Sequence, residues 1–236
     1  MNFVLRPVLL VFATLGTLVL LGLGTWQVQR LAWKTDLIAM VEARAGQAPV
    51  PLADILAGDH AAENTEYLPV AVSGGFPSEK VAHVFGTLEG QAGYYAFQVM
   101  RLDDGSGRLV LINRGFVPQD EKAETYPLPN ARVLTGLVRH YGPARGLAAA
   151  VAPPARPADG IFFDRDPAKL AAYLTPGDES SYLPFAVDST LPTELPRGDT
   201  TRLDFRNAHL GYAITWFGLA IGLVTVTAFL SRKASA

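Results

Sequence analysis

Toward the C-terminus, Arg202, Phe205, Arg206, His209, Tyr212 and Trp216 fall within one broad stripe when the segment is wound at about 100° per residue. Imidazole is an axial donor for haem iron, aromatic rings can flank a planar macrocycle, and guanidinium groups suit its propionates. The same residue types also make interfacial anchors, because Tyr and Trp sit at a membrane boundary and arginines reach out from it into water. On residue types alone both readings stand. Gly211, Thr215, Gly218 and Gly222 lie on the opposite side, and Gly218 and Gly222 form a G-x-x-x-G pair. The expectation is that this glycine side packs on another span, leaving the His/aromatic side facing away, toward lipid, a ligand or a protein.

Asn113-Arg114-Gly115-Phe116 follows the apolar run RLVLI. An Arg beside a Gly at a strand end is expected to form a bulge or tight turn that exposes a planar cation; the alternative is a salt-bridged strand-end arginine. Trp26, Gln27, Arg30 and Trp33 cluster after the first apolar run and read as membrane anchors or as a collar that binds a partner. Motifs for covalent chemistry are missing: there is no G-x-S-x-G, no P-loop, no G-x-G-x-x-G and no H-E-x-x-H. His60, His83, His140 and His209 have no metal-ligand spacing, and the first three are expected to be surface or strand residues. With no cysteine there is no disulfide framework and no thiolate chemistry, and a net charge of -2 offers no footprint for nucleic acid. No enzyme is expected from these motifs, and the alternative left open is a catalytic centre assembled in space from scattered Asp, Arg and His.

Two long elements must position these residues. Residues 7–24 carry no charge and, as a helix, cover ~27 Å; continuing through residue 28 reaches the ~30 Å of a hydrocarbon core. Residues 210–230 form a second charge-free run of spanning length. A signal peptide would have a shorter apolar stretch ending in a small-residue cleavage site, whereas this one leads into Trp26, Gln27 and Arg30, so an uncleaved anchor is expected. Arg6 before the first run, and Arg232 and Lys233 after the second, place both termini in the cytoplasm. The expected layout is a cytoplasmic tail (1–6), a transmembrane helix (7–28), an extracytoplasmic domain (29–206), a second transmembrane helix (207–230) and a cytoplasmic tail (231–236).

Between the spans, the helical pattern of the first run continues until Gly46 and Pro49 stop it, and residues 51–57 read as a short helix. Five strands are expected at 67–74, 80–87, 94–102, 108–116 and 132–140, with a hairpin turn at 103–107. Residues 144–159 read as a loop; short strands at 161–164 and 183–187 flank a helix at 167–174. The fold class is an α+β membrane protein whose outer domain is mainly antiparallel β with short helices.

Four segments, LGTWQVQRLAWK (23–34), GYYAFQVMRLDDGSGRLVLINRGFVP (93–118), FDRDPAKLA (163–171) and RNAHLGYAITWFGLA (206–220), together resemble the blocks of the Surfeit-locus family, in family order. Phe116 stands where that family more usually has tryptophan. The resemblance implies an assembly factor for haem-copper cytochrome c oxidase that binds haem a and assists its delivery to the catalytic subunit. It also implies His209 as the axial ligand of haem iron; the stripe read above then sets Tyr212, Trp216, Arg202 and Arg206 as the candidates around the macrocycle. Trp26, Gln27, Arg30 and Arg114 are then the candidate partner contacts. The implied partners are the oxidase's catalytic subunit, haem a synthase as a second candidate, and the lipid bilayer; the implied location is a bacterial inner membrane, with the main domain periplasmic. The alternative is a membrane-anchored scaffold that binds protein and never ligates haem.

Overall fold

The computed structural model describes residues 7–58, 65–129, 132–143, 145–146, 150–201 and 207–231. Arg202, Phe205, Arg206 and His60, and the tail residues Arg6, Arg232 and Lys233, lie outside them. The chain divides into two compact units, one of residues 1–42 with 203–236 and one of residues 43–202.

In the first unit, α1 spans Pro7–Ala45 and α4 spans His209–Leu230. Both are long and apolar enough to cross a membrane. At 39 residues, α1 is about 58 Å long, nearly twice a hydrocarbon core, so one part of it suffices to span. Gly46 follows its last turn, where the Gln47 N–H bonds back to the Arg44 carbonyl at 3.0 Å.

The two helices meet along a seam with coiled-coil spacing. On α4, Ala213, Ala220 and Thr227 are buried seven residues apart, with His209, Trp216 and Leu223 half-buried between them. On α1, Ala13, Gly24 and Gln27 are buried, and Thr17, Leu20 and Leu31 complete the alternating three-and-four step. This corrects the expected packing side. A Cβ at Gly218, Gly222 or Gly211 would meet nothing within 4 Å, so α4's glycines are not the contact surface. The glycines that matter belong to α1: a Cβ at Gly24 would lie 2.7 Å from the Phe217 ring, and one at Gly16 would lie 3.1 Å from a Leu223 methyl. Large side chains of α4 thus seat against backbone notches of α1.

The second unit is built on strands β1 (Val50–Pro51), β2 (Pro69–Gly75), β3 (Ala82–Leu88), β4 (Gln91–Leu102), β5 (Leu109–Pro118), β6 (Val133–Arg139), β7 (Ile161–Phe162) and β8 (Tyr182–Ser189). Two short helices accompany them, α2 (Leu52–Ala57) and α3 (Pro167–Leu174). The sheet order β1-β2-β6-β8-β5-β4-β3-β7 carries an additional β2–β4 pairing, which closes β2, β6, β8, β5 and β4 into a five-stranded barrel. Closure occurs where Gly74 faces Leu102 and Gly75 faces Arg101; a side chain on Gly74 would collide with the Arg101 carbonyl. The antiparallel expectation holds for five pairings, while β1–β2, β3–β7 and β5–β8 are parallel.

Alternation along β5 feeds two cores. Val110 and Ile112 point inward with Val72, Met100, Leu134 and Val187; Leu109 and Leu111 point outward, where Leu170 and Leu174 of α3 cover them. Every residue of β5 is buried, and its first four, Leu109 to Ile112, read as an unbroken apolar run. At about 1.5–3 kcal/mol per fully buried large apolar side chain, these two clusters account for a domain that holds without disulfides. The α3 helix starts as its sequence dictates: the Asp166 carboxylate accepts the Ala168 N–H at 3.1 Å and Pro167 occupies the first turn.

Candidate functional site

Of the C-terminal stripe, His209, Tyr212 and Trp216 are described, and they do not share one environment. Tyr212 is 56% exposed, as expected of an outward face. His209 instead turns into the seam, where its Nδ1 lies 2.6 Å from Oε1 of Gln27 on α1. A side-chain carbonyl oxygen only accepts, so as a hydrogen bond this contact requires the proton on Nδ1, the tautomer in which Nε2 carries the lone pair. Two turns along α4, the indole N–H of Trp216 is buried without an acceptor among the described residues. One turn before Gln27, Gly24 receives the Phe217 ring and brings the helices together at this level. Next to His209, Asn207 Nδ2 donates to Thr35 Oγ1 at 3.4 Å.

The expected collar separates into two kinds of residue. Trp26 and Trp33 are half-exposed, and the Arg30 guanidinium stacks on the Trp33 ring at 3.9 Å. Gln27, by contrast, is only 8% exposed and offers no surface to a partner.

Arg114 requires a larger correction. The bulge is present: between the pairs Tyr95–Phe116 and Phe97–Asn113, β5 carries one residue more than β4, and Gly115 takes up φ 131° there. The cation, however, is not exposed. Arg114 is 4% exposed, with one guanidinium nitrogen donating to Gln98 Oε1 and another to the Pro127 carbonyl, each at 2.6 Å. β5 is covered on both faces, so its arginine is enclosed and neither of these acceptors is ionic. Burial pushes the Arg114 pKa down.

One polar cluster had no motif to announce it. Asp188 on β8 is buried and accepts from Asn113 Nδ2 (2.9 Å), the Tyr141 hydroxyl (2.8 Å) and Thr201 Oγ1 (2.9 Å). Arg139 lies 3.9 Å from the same carboxylate and 3.0 Å from Glu66, and the Arg165 guanidinium donates to the Tyr141 hydroxyl at 3.0 Å. Burial, reinforced by Asp188, pushes the Tyr141 phenol well above its ordinary range, so it stays a donor. Asn113 and Arg165 belong to two of the quoted sequence blocks, and the fold brings Asn113 to this carboxylate and Arg165 to the Tyr141 hydroxyl that donates to it. Its chemistry is tethering: β5, β6, β8 and the segment entering at Thr201 are tied to one anion.

His83, expected on a strand, sits on β3 and is buried. The Ala123 N–H donates to the Tyr126 hydroxyl at 3.0 Å, which leaves that hydroxyl's proton for His83 Nε2, also at 3.0 Å. Burial, with Lys122 nearby, lowers the imidazole pKa from 6.5 to about 4. As pH falls, the unfolded chain therefore takes up this proton first, and stability is lost from about pH 6.5 down toward pH 4. At pH 5 the loss amounts to about 2 kcal/mol. Pulse proteolysis at pH 7 and pH 5 is expected to show a smaller drop for His83→Gln than for the wild type; equal drops would contradict this account.

The SURF1 family model matches residues 15–221. This chain belongs to the SURF1 family. Surfeit locus protein 1 of Homo sapiens is 34% identical over 219 residues, covering 84% of this chain and 69% of that protein. Surfeit locus protein 1 of Rattus norvegicus is 32% identical over 218 residues, covering 84% and 67%. A SURF1-like protein of Monosiga brevicollis is 31% identical over 235 residues, covering 90% and 83%. The matched region takes in the barrel and the part of the helix seam between residues 15 and 221, so the Gln27–His209 pair and the Asp188 cluster both fall within the SURF1 segment.

Proposed function

We propose that this SURF1-family chain is an assembly factor for haem-copper cytochrome c oxidase that binds haem a and presents it to the catalytic subunit. The observation that carries the proposal is the 2.6 Å contact between His209 Nδ1 and the Gln27 amide oxygen, which with the proton on Nδ1 leaves Nε2 as the lone-pair nitrogen. That arrangement is what an axial imidazole ligand requires. Haem a, when bound, supplies an iron centre in a poorly soluble macrocycle that needs a nitrogen donor and shielding from water. Trp216 contributes a buried N–H with no acceptor among the described residues, a place for an acceptor on a ligand. Tyr212 offers an exposed ring on the same helix. Arg202 and Arg206 remain proposed propionate partners from the segment before α4. The role is binding and presentation, with no covalent step asked of the chain.

In this reading α1 and α4 cross a bacterial inner membrane with both tails cytoplasmic, and the domain of residues 29–206 is periplasmic. The half-exposed Trp26 and Trp33, with Arg30 stacked between solvent and ring, favour a docking role toward the catalytic subunit or haem a synthase. Gln27 and Arg114, being buried, are not among those contacts. A scaffold that docks through this collar and never ligates haem is the second reading.

Deleting the chain from a cell that makes such an oxidase is expected to lower the haem a content of the catalytic subunit, with recovery on re-expression. An oxidase with full haem a in the deletion strain would defeat the proposal. Recovery by His209→Ala equal to that by the wild type, together with loss of recovery on Trp26→Ala, would favour the scaffold.

A further inference from the structure

We infer that Gln27 is the positioning residue of His209: its amide oxygen holds the ring in the Nδ1–H tautomer, so that Nε2 is the nitrogen offered to a ligand. The identity of that ligand rests on the reading above; the lock itself does not. Three observations converge on it. The 2.6 Å contact joins residues 182 apart in the chain, so it forms only when α1 and α4 pack. Gln27 is 8% exposed, which keeps the hydrogen bond out of competition with water. Gly24, one turn earlier on α1, admits the Phe217 ring from α4 and fixes the register that brings the pair together.

The choice of an amide follows from the surroundings. Helix carbonyls can accept a second bond, as that of Leu21 does from Thr25 Oγ1 at 2.9 Å, but the acceptor set opposite Nδ1 of His209 is the Gln27 amide oxygen. A carboxylate at the same place would bury a charge in a seam that holds no other charged side chain among the described residues named above, and would draw the Nδ1 proton toward itself. The amide accepts the proton without charge and leaves a neutral imidazole donor.

The test uses the full chain in detergent with nitrogen-15-labelled histidine, the His209 signals being assigned by their loss in His209→Ala. The wild type is expected to show His209 as the Nδ1–H tautomer, and Gln27→Leu a mixture dominated by the more common Nε2–H form. With haem a added, Gln27→Leu is expected to bind about 10–100-fold more weakly than the wild type. Gln27→Glu is expected to restore the Nδ1–H tautomer and most of the affinity, with a more negative reduction potential, because a charged acceptor makes the imidazole a stronger donor. That rescue and potential shift would not follow from a merely structural glutamine. An Nε2–H ring in the wild-type apoprotein, or the same tautomer and haem affinity in Gln27→Leu as in the wild type, would overturn the inference. Failure of the wild type to bind haem a with the Nδ1–H signal intact would overturn the axial-ligand reading and leave the lock established.

Discussion

His209→Ala is expected to weaken haem a binding by at least about 100-fold, with added imidazole restoring part of it. No other imidazole is available on these helices, since the remaining histidines of the chain are His60, His83 and His140. Within the seam, Gln27 has no lone-pair nitrogen to offer, and the indole N–H of Trp216 donates only. The substitution leaves the Gln27 amide oxygen without its donor but removes no large packing group, because the helix contacts at Phe217–Gly24 and Leu223–Gly16 persist. Helix content by circular dichroism should therefore be unchanged while binding is lost. Haem a titrations that superimpose for His209→Ala and the wild type would remove His209 from the ligand set. Tyr212→Phe, on the exposed face, should change affinity by a few-fold at most.

Asp188→Ala is expected to destabilise the barrel unit by about 3–5 kcal/mol, a large share of the roughly 5–15 kcal/mol available to a domain. The residue is 3% exposed, and its carboxylate is the common acceptor for Asn113, Tyr141 and Thr201. Removing it leaves those three donors unsatisfied and deprives Arg139, whose side chain is 19% exposed, of one of its two carboxylates. The cost of stranding the partners exceeds the worth of any one of the bonds. Asp188→Asn keeps an acceptor oxygen and should cost less. Urea-dependent pulse proteolysis of the full chain measures both; a loss under about 1 kcal/mol for Asp188→Ala would mean that water replaces the carboxylate and that the cluster is not a tether.

The elements of the barrel unit were readable wherever a local signal specified them. The turn at 103–107 and the α3 helix follow from Gly, Asp and Pro placed where turns and first helical turns require them. Barrel closure was not readable, because it depends on two glycine-side pairings, Gly74–Leu102 and Gly75–Arg101, far apart in sequence and without a pattern of their own. The parallel join of β5 to β8 is equally non-local.

On α4, the sequence pattern had His209 facing away from α1, whereas it faces Gln27. Winding α4 as an isolated helix separates a glycine side from an aromatic side, and G-x-x-x-G makes the glycine side look like the contact. The seam instead follows the heptad of Ala213, Ala220 and Thr227, with the backbone notches supplied by Gly16 and Gly24 of α1. Once the helix is turned that way, Gln27 changes from a candidate partner contact to the residue that faces His209. Arg114 failed for a related reason: an Arg-Gly step at the end of an apolar run looks exposed until both faces of β5 are found covered.

The most direct measurement of the central claim is the optical spectrum of the wild-type chain purified in detergent from cells that synthesise haem a. The account predicts a Soret band corresponding to about one haem a per chain, absent from His209→Ala prepared in the same way. A wild-type protein that carries no haem a, or a His209→Ala protein with the same band, would contradict it.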